Sequence, residues 1–414
     1  MSSSSAERGR RPEAHGAGLW VTIDVVRVAY ITDTYLPETN GIVTAIVRHS
    51  RGLAARGHEV CVFCPRYDGD VGDADSAAPG IRIVRFRSRS AASNPETRVS
   101  LPWFPYLTRR LKQFGPDLVH AHTPLPIGVS GVLAARRLGV PLVQTYHSYV
   151  PGFLQYAGLT RLLGLDRKPR RVRDSAFAWW LTRLLYNRSD LVLAPSRTLC
   201  DVLVDRGITA PVRHQDNGID LAEFPPRSDW ILQRRVMHCG RLGYEKSAEV
   251  VVDAFALFAQ TRPGWELHLL GEGPAEEHLR ARIEQAGIGE RVRFDGFVDR
   301  ARLAEAYRDA DVYATASTIE TQGIVVLESM ASGTPVVGVD ALAVPEMARN
   351  GRNGIIVAPN DAAAMAEAFA RLADDDALRE QLGHACIEDV RAHDLSGALD
   401  GLERTYRELT DARA

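Results

Sequence analysis

Ser317-Thr-Ile-Glu320-Thr-Gln-Gly323-Ile-Val-Val-Leu-Glu328-Ser-Met-Ala-Ser-Gly333-Thr-Pro335-Val-Val-Gly338 reads as a loop, an apolar helix ended by Gly333, and a short buried strand. Glu320 and Glu328 stand eight residues apart around Gly323, one before the helix and one inside it. A helix start of this kind turns unsatisfied N–H groups toward an anion. Acids beside it would repel a bare phosphate, yet they accept hydrogen bonds from hydroxyls, so the pattern suits a ligand carrying both groups, as a nucleotide sugar does. The same letters also fit a surface helix whose dipole favours Glu320 at its N-terminus while Glu328 is solvated. The surroundings have to decide.

Outward from this stretch, short β-branched runs alternate with helical patterns, which argues for parallel sheets with crossover helices. A first series of strands is expected from Val26 to Thr32, Glu59 to Cys64, Ile81 to Phe86, Leu118 to Ala121, Leu142 to Tyr146 and Leu191 to Ala194. A second runs from Val236 to Cys239, Leu267 to Leu270, Val292 to Phe294, Val312 to Ala314, Val336 to Gly338 and Ile355 to Val357. Two sheets of about six strands make an α/β chain of two doubly wound, Rossmann-like domains. Facing across a cleft, such domains would line it with helix N-termini from the carboxyl edges of both sheets.

The Ser-, Arg- and Gly-rich residues 1–24 are expected to form a disordered tail, residues 25–218 the N-terminal domain and residues 219–395 the C-terminal domain. Residues 396–414 form a last helix with no strand after it, expected to pack back on the N-terminal domain. The seam falls at Asn217-Gly218-Ile219-Asp220, where turn chemistry precedes Pro225-Pro226.

Composition agrees with this plan. At 414 residues the chain exceeds one ordinary core, and 45% hydrophobic content can fill more than one. A net charge of −2 supplies no basic field for nucleic acid, and no nucleic-acid motif appears. Five scattered cysteines, with Cys61 and Cys64 in an apolar strand, suit reduced cytoplasmic thiols better than a zinc site. Leu19-Trp-Val-Thr-Ile23 is too short for a signal peptide core, and no run of about 18 apolar residues could span a membrane.

Three turns should line the cleft: Thr39-Asn40-Gly41, Gly240-Arg241-Leu-Gly243-Tyr-Glu-Lys246 and Leu270-Gly271-Glu-Gly273-Pro274. Each follows a strand, where glycine lets backbone approach a ligand. Arg241 and Lys246 share one strand-to-helix loop, a spacing that lets a planar fork and a point charge grip a diphosphate from two sides. The same two cations could equally be solvated. Of the 50 basic residues only Lys112, Lys168 and Lys246 are lysine, which singles out the last. His147 ends a strand and should reach the cleft.

A metal is not expected. His120 and His122 share a strand face but lack a third ligand. Asp68-Gly-Asp70 and Asp73-Ala-Asp75 read as solvated loop, and Asp309-Ala-Asp311 as a structural helix-to-strand joint.

Taken together, Asn40-Gly41, Thr145-Tyr-His147, Asn217-Gly218-Ile-Asp220, Gly240-Arg241 with Lys246, Gly271-Glu-Gly273-Pro274, Asp295-Gly-Phe297-Val298 and Glu320-x7-Glu328 resemble the retaining family 4 glycosyltransferases of the GT-B fold, over about residues 26–400. The resemblance implies an acceptor-side N-terminal domain and a nucleotide-sugar-binding C-terminal domain. It implies that Arg241 and Lys246 hold the donor diphosphate, that Glu320 and His147 contact the transferred sugar, and that Glu328 binds the ribose. Backbone near Gly41, Gly240, Gly271, Gly273, Gly323 and Ile324 would approach phosphates and sugar, and Phe297-Val298 would pair with the base. It further implies metal-free transfer by same-face displacement, the leaving phosphate taking the acceptor's proton. A two-step route would need a nucleophile about 5 to 5.5 Å from an acid, and no such pair can be read here.

Glu-Thr-Gln-Gly and Thr-Tyr-His-Ser-Tyr resemble bacterial diacylglycerol glucosyltransferases, with Gln322 where many family members carry phenylalanine. UDP-glucose is then the expected donor and a lipid or glycolipid hydroxyl the expected acceptor. Arg161, Arg167, Lys168, Arg170, Arg171, Arg173 and Arg183 beside Trp179-Trp180, with Pro102-Trp-Phe-Pro-Tyr106 ahead of Arg109, Arg110 and Lys112, suit an anionic membrane surface. The expected location is cytoplasmic and peripheral, on the inner face of the plasma membrane. Competing readings are transfer to a soluble acceptor such as a sugar phosphate or secondary metabolite, a non-catalytic nucleotide-sugar binder, and a sugar-nucleotide epimerase.

Overall fold

A computed structural model describes residues 25–67, 78–91, 94–100, 104–147 and 176–413. The tail over residues 1–24, both acidic pairs between Asp68 and Asp75, Pro102-Trp103 and the basic residues from Arg161 to Arg173 lie outside the described residues. The chain divides into two compact units. One holds the described residues of Met1–Thr145, Arg188–Leu191 and Leu399–Ala414, the other those of Tyr146–Asn187 and Val192–Ala398.

In chain order the strands are β1 (Arg27–Ile31), β2 (Glu59–Pro65), β3 (Ile81–Phe86), β4 (Arg89–Ala91), β5 (Asn94–Val99), β6 (Leu118–Ala121), β7 (Leu142–Thr145), β8 (Leu191–Ala194) and β9 (Val212–His214). They continue as β10 (Arg235–Cys239), β11 (Glu266–Leu270), β12 (Val292–Gly296), β13 (Val312–Ala314), β14 (Val336–Val339) and β15 (Gly354–Val357). One sheet runs β3-β2-β1-β6-β7-β8-β9 and the other β12-β11-β10-β13-β14-β15. Every pairing in the second sheet is parallel. Both sheets are doubly wound, with strand order reversing between β1 and β6 and between β10 and β13.

Two features depart from expectation. The first sheet has seven strands, because Val212-Arg-His214 pairs with β8, and β4 and β5 form a separate antiparallel pair. β9 has no apolar run of its own. It exists through its neighbour, with Val192 N donating to Pro211 O at 2.8 Å and Gln215 N to Ala194 O at 2.9 Å.

Strands covered on both faces carry apolar residues toward both, and the second sheet packs a core on each side. A cluster containing Phe255, Phe258, Trp265 and Phe369 forms one core, and another containing Phe224, Tyr307, Tyr313 and Met330 forms a second. Phe258 meets Trp265 edge-on at 5.1 Å and Phe369 at 5.9 Å. Truncating a ring buried like Phe255 costs about 3 to 5 kcal/mol.

The last helix, Leu395–Asp411, is bound into the first unit from Leu399 onward. Tyr406 Oη lies 3.1 Å from Tyr30 Oη and 2.6 Å from His120 Nδ1. A Cβ on Gly52 would stand 2.3 Å from Leu399 Cδ1, so a larger residue there would require the Leu399 side chain to shift.

Candidate functional site

In α/β sheets ligands bind beyond the carboxyl ends of the strands, where strand order reverses. In the second unit that point is shared by the loops after β10 and β13, and it brings distant residues together. Lys246 ends a short 3-10 turn, Tyr244–Lys246, just before the helix Ala248–Ala259. Glu320 lies in the loop leading to Gly323, whose φ of 80° starts the helix Ile324–Ala331. Lys246 Nζ meets Glu320 Oε1 at 2.5 Å. Glu320 is 9% exposed. Burial, the largest single influence, pushes its carboxyl up, but the charge and hydrogen bond of Lys246, together with the Ser317 hydroxyl, hold it below the usual glutamate range.

The Arg241–Lys246 loop is shaped by its neighbour. Gly240 N donates to Leu270 O at 3.0 Å, Leu242 N to Glu272 O at 2.9 Å and Ala275 N to Leu242 O at 2.8 Å. A Cβ on Gly271 would lie 2.1 Å from Gly240 O, and one on Gly273 2.4 Å from Leu242 O. These glycines therefore let two loop backbones touch, whatever else approaches them.

Beneath the ion pair lies His238, 2% exposed and one residue before the end of β10. Its Nδ1 is 2.9 Å from Ala314 O, which can only accept, so Nδ1 carries the proton. Nε2 is buried with no hydrogen-bond partner. Burial lowers the imidazole's pKa, so the ring is neutral near pH 7.

Glu328, 3% exposed, is reached by Arg300 Nη1 at 3.0 Å on Oε1 and by Tyr307 Oη at 3.3 Å on Oε2. Gln322 is 1% exposed. Its carbonyl accepts from Asn217 N at 3.2 Å and Asn217 Nδ2 at 2.6 Å. Its amide donates to Asp216, which also meets His393. Thr321 Oγ1 donates to the His147 carbonyl at 2.7 Å, which ties His147 to the Glu320 loop through its backbone.

Of the residues named from sequence, Arg241, Lys246, Glu320, Gly323, Ile324 and Glu328 all lie on the two loops and helix at this strand reversal, with Gly240, Gly271 and Gly273 at the adjoining turns. Phe297 and Val298 follow β12, Phe297 exposed and Val298 half-buried. Gly41 belongs to the other unit, where Asn40 caps its helix by accepting from Val43 N at 2.9 Å. Asp311 accepts from the backbone of Gln233 and Arg235, in keeping with a structural joint.

His120 is occupied by hydroxyls, Tyr406 Oη on Nδ1 and Thr145 Oγ1 at 2.6 Å on Nε2. Among the described residues no cluster of His, Cys, Asp and Glu is arranged to hold a metal. The sequence reading missed His238, Arg300 and Tyr307. A histidine inside an apolar strand one residue before the Gly-Arg loop was the available signal for His238; Arg300 and Tyr307 carried none, since their roles depend on the helix facing Glu328.

Residues 39–223 match the family described as Glycosyltransferase Family 4, and residues 233–389 the one described as Glycosyl transferases group 1. An alpha-monoglucosyldiacylglycerol synthase of Streptococcus pneumoniae is 29% identical over 75% of this chain and 70% of its own length. A GDP-mannose-dependent alpha-mannosyltransferase of Mycobacterium tuberculosis is 32% identical over 80% of this chain and 84% of its own. Among solved structures, a sucrose-phosphate synthase from Thermosynechococcus elongatus superposes with a TM-score of 0.76 at 22% identity, covering 94% of this chain and 100% of that one. An Anabaena protein in complex with UDP-glucose gives 0.74 at 19% identity, covering 93% of this chain and 100% of its own. At these identities the two structures share the fold.

Proposed function

The chain belongs to the family 4 glycosyltransferases of the GT-B fold, and from that premise we propose that it moves a hexose from UDP-glucose to a hydroxyl of a lipid or glycolipid, with retention and without a metal. The observation that carries the reading is the Lys246–Glu320 pair at the carboxyl edge of β10 and β13. A nucleotide sugar brings a diphosphate that needs the cation and hydroxyls that need the carboxylate.

On donor binding, Lys246 and Arg241 take the diphosphate, and Glu320, held ionised, accepts from the sugar. The bond from C1 to the phosphate oxygen breaks as the acceptor oxygen bonds C1 on the same face. The acceptor's proton passes to the departing phosphate oxygen, so charge balances without a protein nucleophile. Cations placed where the leaving charge develops supply most of the stabilisation, and no metal is needed for it.

The lipid acceptor and a location on an anionic membrane face draw support from the helix Ala176–Tyr186. Phe177 and Trp180 are 57% and 50% exposed with rings stacked at 5.8 Å. Trp179 belongs to the core, 2% exposed beneath the Arg206 guanidinium. An exposed aromatic pair suits insertion at a lipid interface.

The test incubates the protein with radiolabelled UDP-glucose and, separately, GDP-mannose, each with lipid extract. Label in the organic phase from UDP-glucose supports the proposal, label from GDP-mannose replaces the donor, and label only in a water-soluble product replaces the acceptor. Donor altered without acceptor, or no turnover at all, defeats it.

A further inference from the structure

We infer that Arg300 is a positioning residue for the ribose of the donor nucleotide, acting by fixing the plane of the Glu328 carboxylate; the inference rests on the reading of this site as a nucleotide-sugar site. Glu328 lies within the helix Ile324–Ala331, almost fully buried. A carboxylate there needs a compensating charge, and Arg300 Nη1 supplies one at 3.0 Å.

The two carboxylate oxygens have different partners, Arg300 on Oε1 and Tyr307 Oη on Oε2. Both partners come from one helix, Arg300–Arg308, capped by Asp299. Gripped from both oxygens, the carboxylate cannot rotate freely, and a carboxylate of fixed plane is what recognition of two vicinal hydroxyls requires.

Arg300 is itself held on its far side. Nη2 meets Glu223 Oε2 at 2.5 Å, and the guanidinium lies 4.8 Å from the Phe224 ring centre. Although its side chain is 44% exposed, this planar fork is held by an aromatic ring and two carboxylates, which preorganises it toward Glu328. It also begins two residues after Val298, at the turn expected to carry the base.

The test measures binding of UDP, GDP and 2′,3′-dideoxy-UDP by calorimetry to the wild type, Arg300→Gln and Arg300→Lys, with melting curves alongside. Arg300→Gln is expected to weaken UDP about tenfold, the scale of one charge-assisted hydrogen bond, and to raise the donor KM with kcat little changed. Arg300→Lys should recover part of the loss. The dideoxy analogue should bind wild type and Arg300→Gln equally, a result that general damage to the fold cannot produce. If Arg300→Gln does not fold, Arg300→Lys carries the comparison, with a UDP-specific loss still expected. Wild-type affinity for UDP in the variants, or equal loss of UDP and the analogue, overturns the inference alone. Failure of the wild type to bind either UDP or GDP overturns the nucleotide-sugar reading and the inference with it.

Discussion

Replacing Lys246 by methionine should reverse the way acidity affects the stability of the second unit. In the wild type Glu320 titrates below the usual glutamate value because Lys246, with the Ser317 hydroxyl, more than offsets a large burial effect. Its stabilising contribution is therefore present at neutral pH and lost as pH falls below the ordinary carboxylate range, through the lowered folded value. Without Lys246 burial acts with no lysine to oppose it and raises the carboxyl above its unfolded value, so stability should decline as pH rises from about 4 toward neutrality.

Breaking a buried pair by removing one partner costs about 3 to 5 kcal/mol. The Lys246 side chain is 26% exposed, so water recovers part of this and about 2 kcal/mol remains at pH 7. For a unit of this size that is a fall of about 4 to 8 °C in melting temperature. Lys246→Met with Glu320→Gln should regain most of it, since no buried charge is then left unpaired. Turnover should fall about a hundredfold or more in both variants. Calorimetry between pH 4 and 8 reads the effect. A Lys246→Met protein that melts within about 1 °C of wild type, with the same pH dependence, would refute the reasoning.

Gly271→Ala should cost more than about 2 kcal/mol and disturb the Arg241–Lys246 loop, because its φ is 120° and its Cβ would fall 2.1 Å from Gly240 O; denaturant melts and donor KM would both register it. His238, buried with its pKa lowered, must charge when unfolded, so its stability contribution is full above about pH 6.5 and lost as pH falls through that value toward the folded one. His238→Gln should flatten the stability slope between pH 7 and 5 by up to about 1.4 kcal/mol per pH unit, seen in urea melts at each pH. Gln322→Phe, despite installing the residue many relatives carry, should destabilise by about 2 kcal/mol, since Asn217 and Asp216 lose its carbonyl and amide. Thermal melts of that variant at unchanged stability would dispose of the network's importance.

The strand plan was legible because it is written in local terms. β-branched runs of strand length, and the glycines that follow some of them, are properties of a few neighbouring residues. Eleven of the twelve strands expected from sequence begin and end where the structure places them or within one residue, while the twelfth, β12, begins as expected and runs two residues further. The positions of Lys246 and Glu320 at strand ends were legible for the same reason. β9 was not, since the half-buried Val212 and His214 flanking an exposed Arg213 become a strand only when a neighbour supplies the ladder.

The partners inside the site were beyond local reading altogether. Lys246 and Glu320 are 74 residues apart, Gln322 and Asn217 105, and His393 and Asp216 177. Which side chains meet is set by strand register and by the face each helix turns inward, and neither is encoded in any one segment. The amino-acid sequence alone determined where the chain would form strands, where its loops would carry charge, and what class of ligand those charges suit. Only tertiary structure decided that Lys246 neutralises Glu320, that Arg300 and Tyr307 clamp Glu328, and that Gly271 and Gly273 serve the contact between loops, because each depends on two surfaces packed at van der Waals distance.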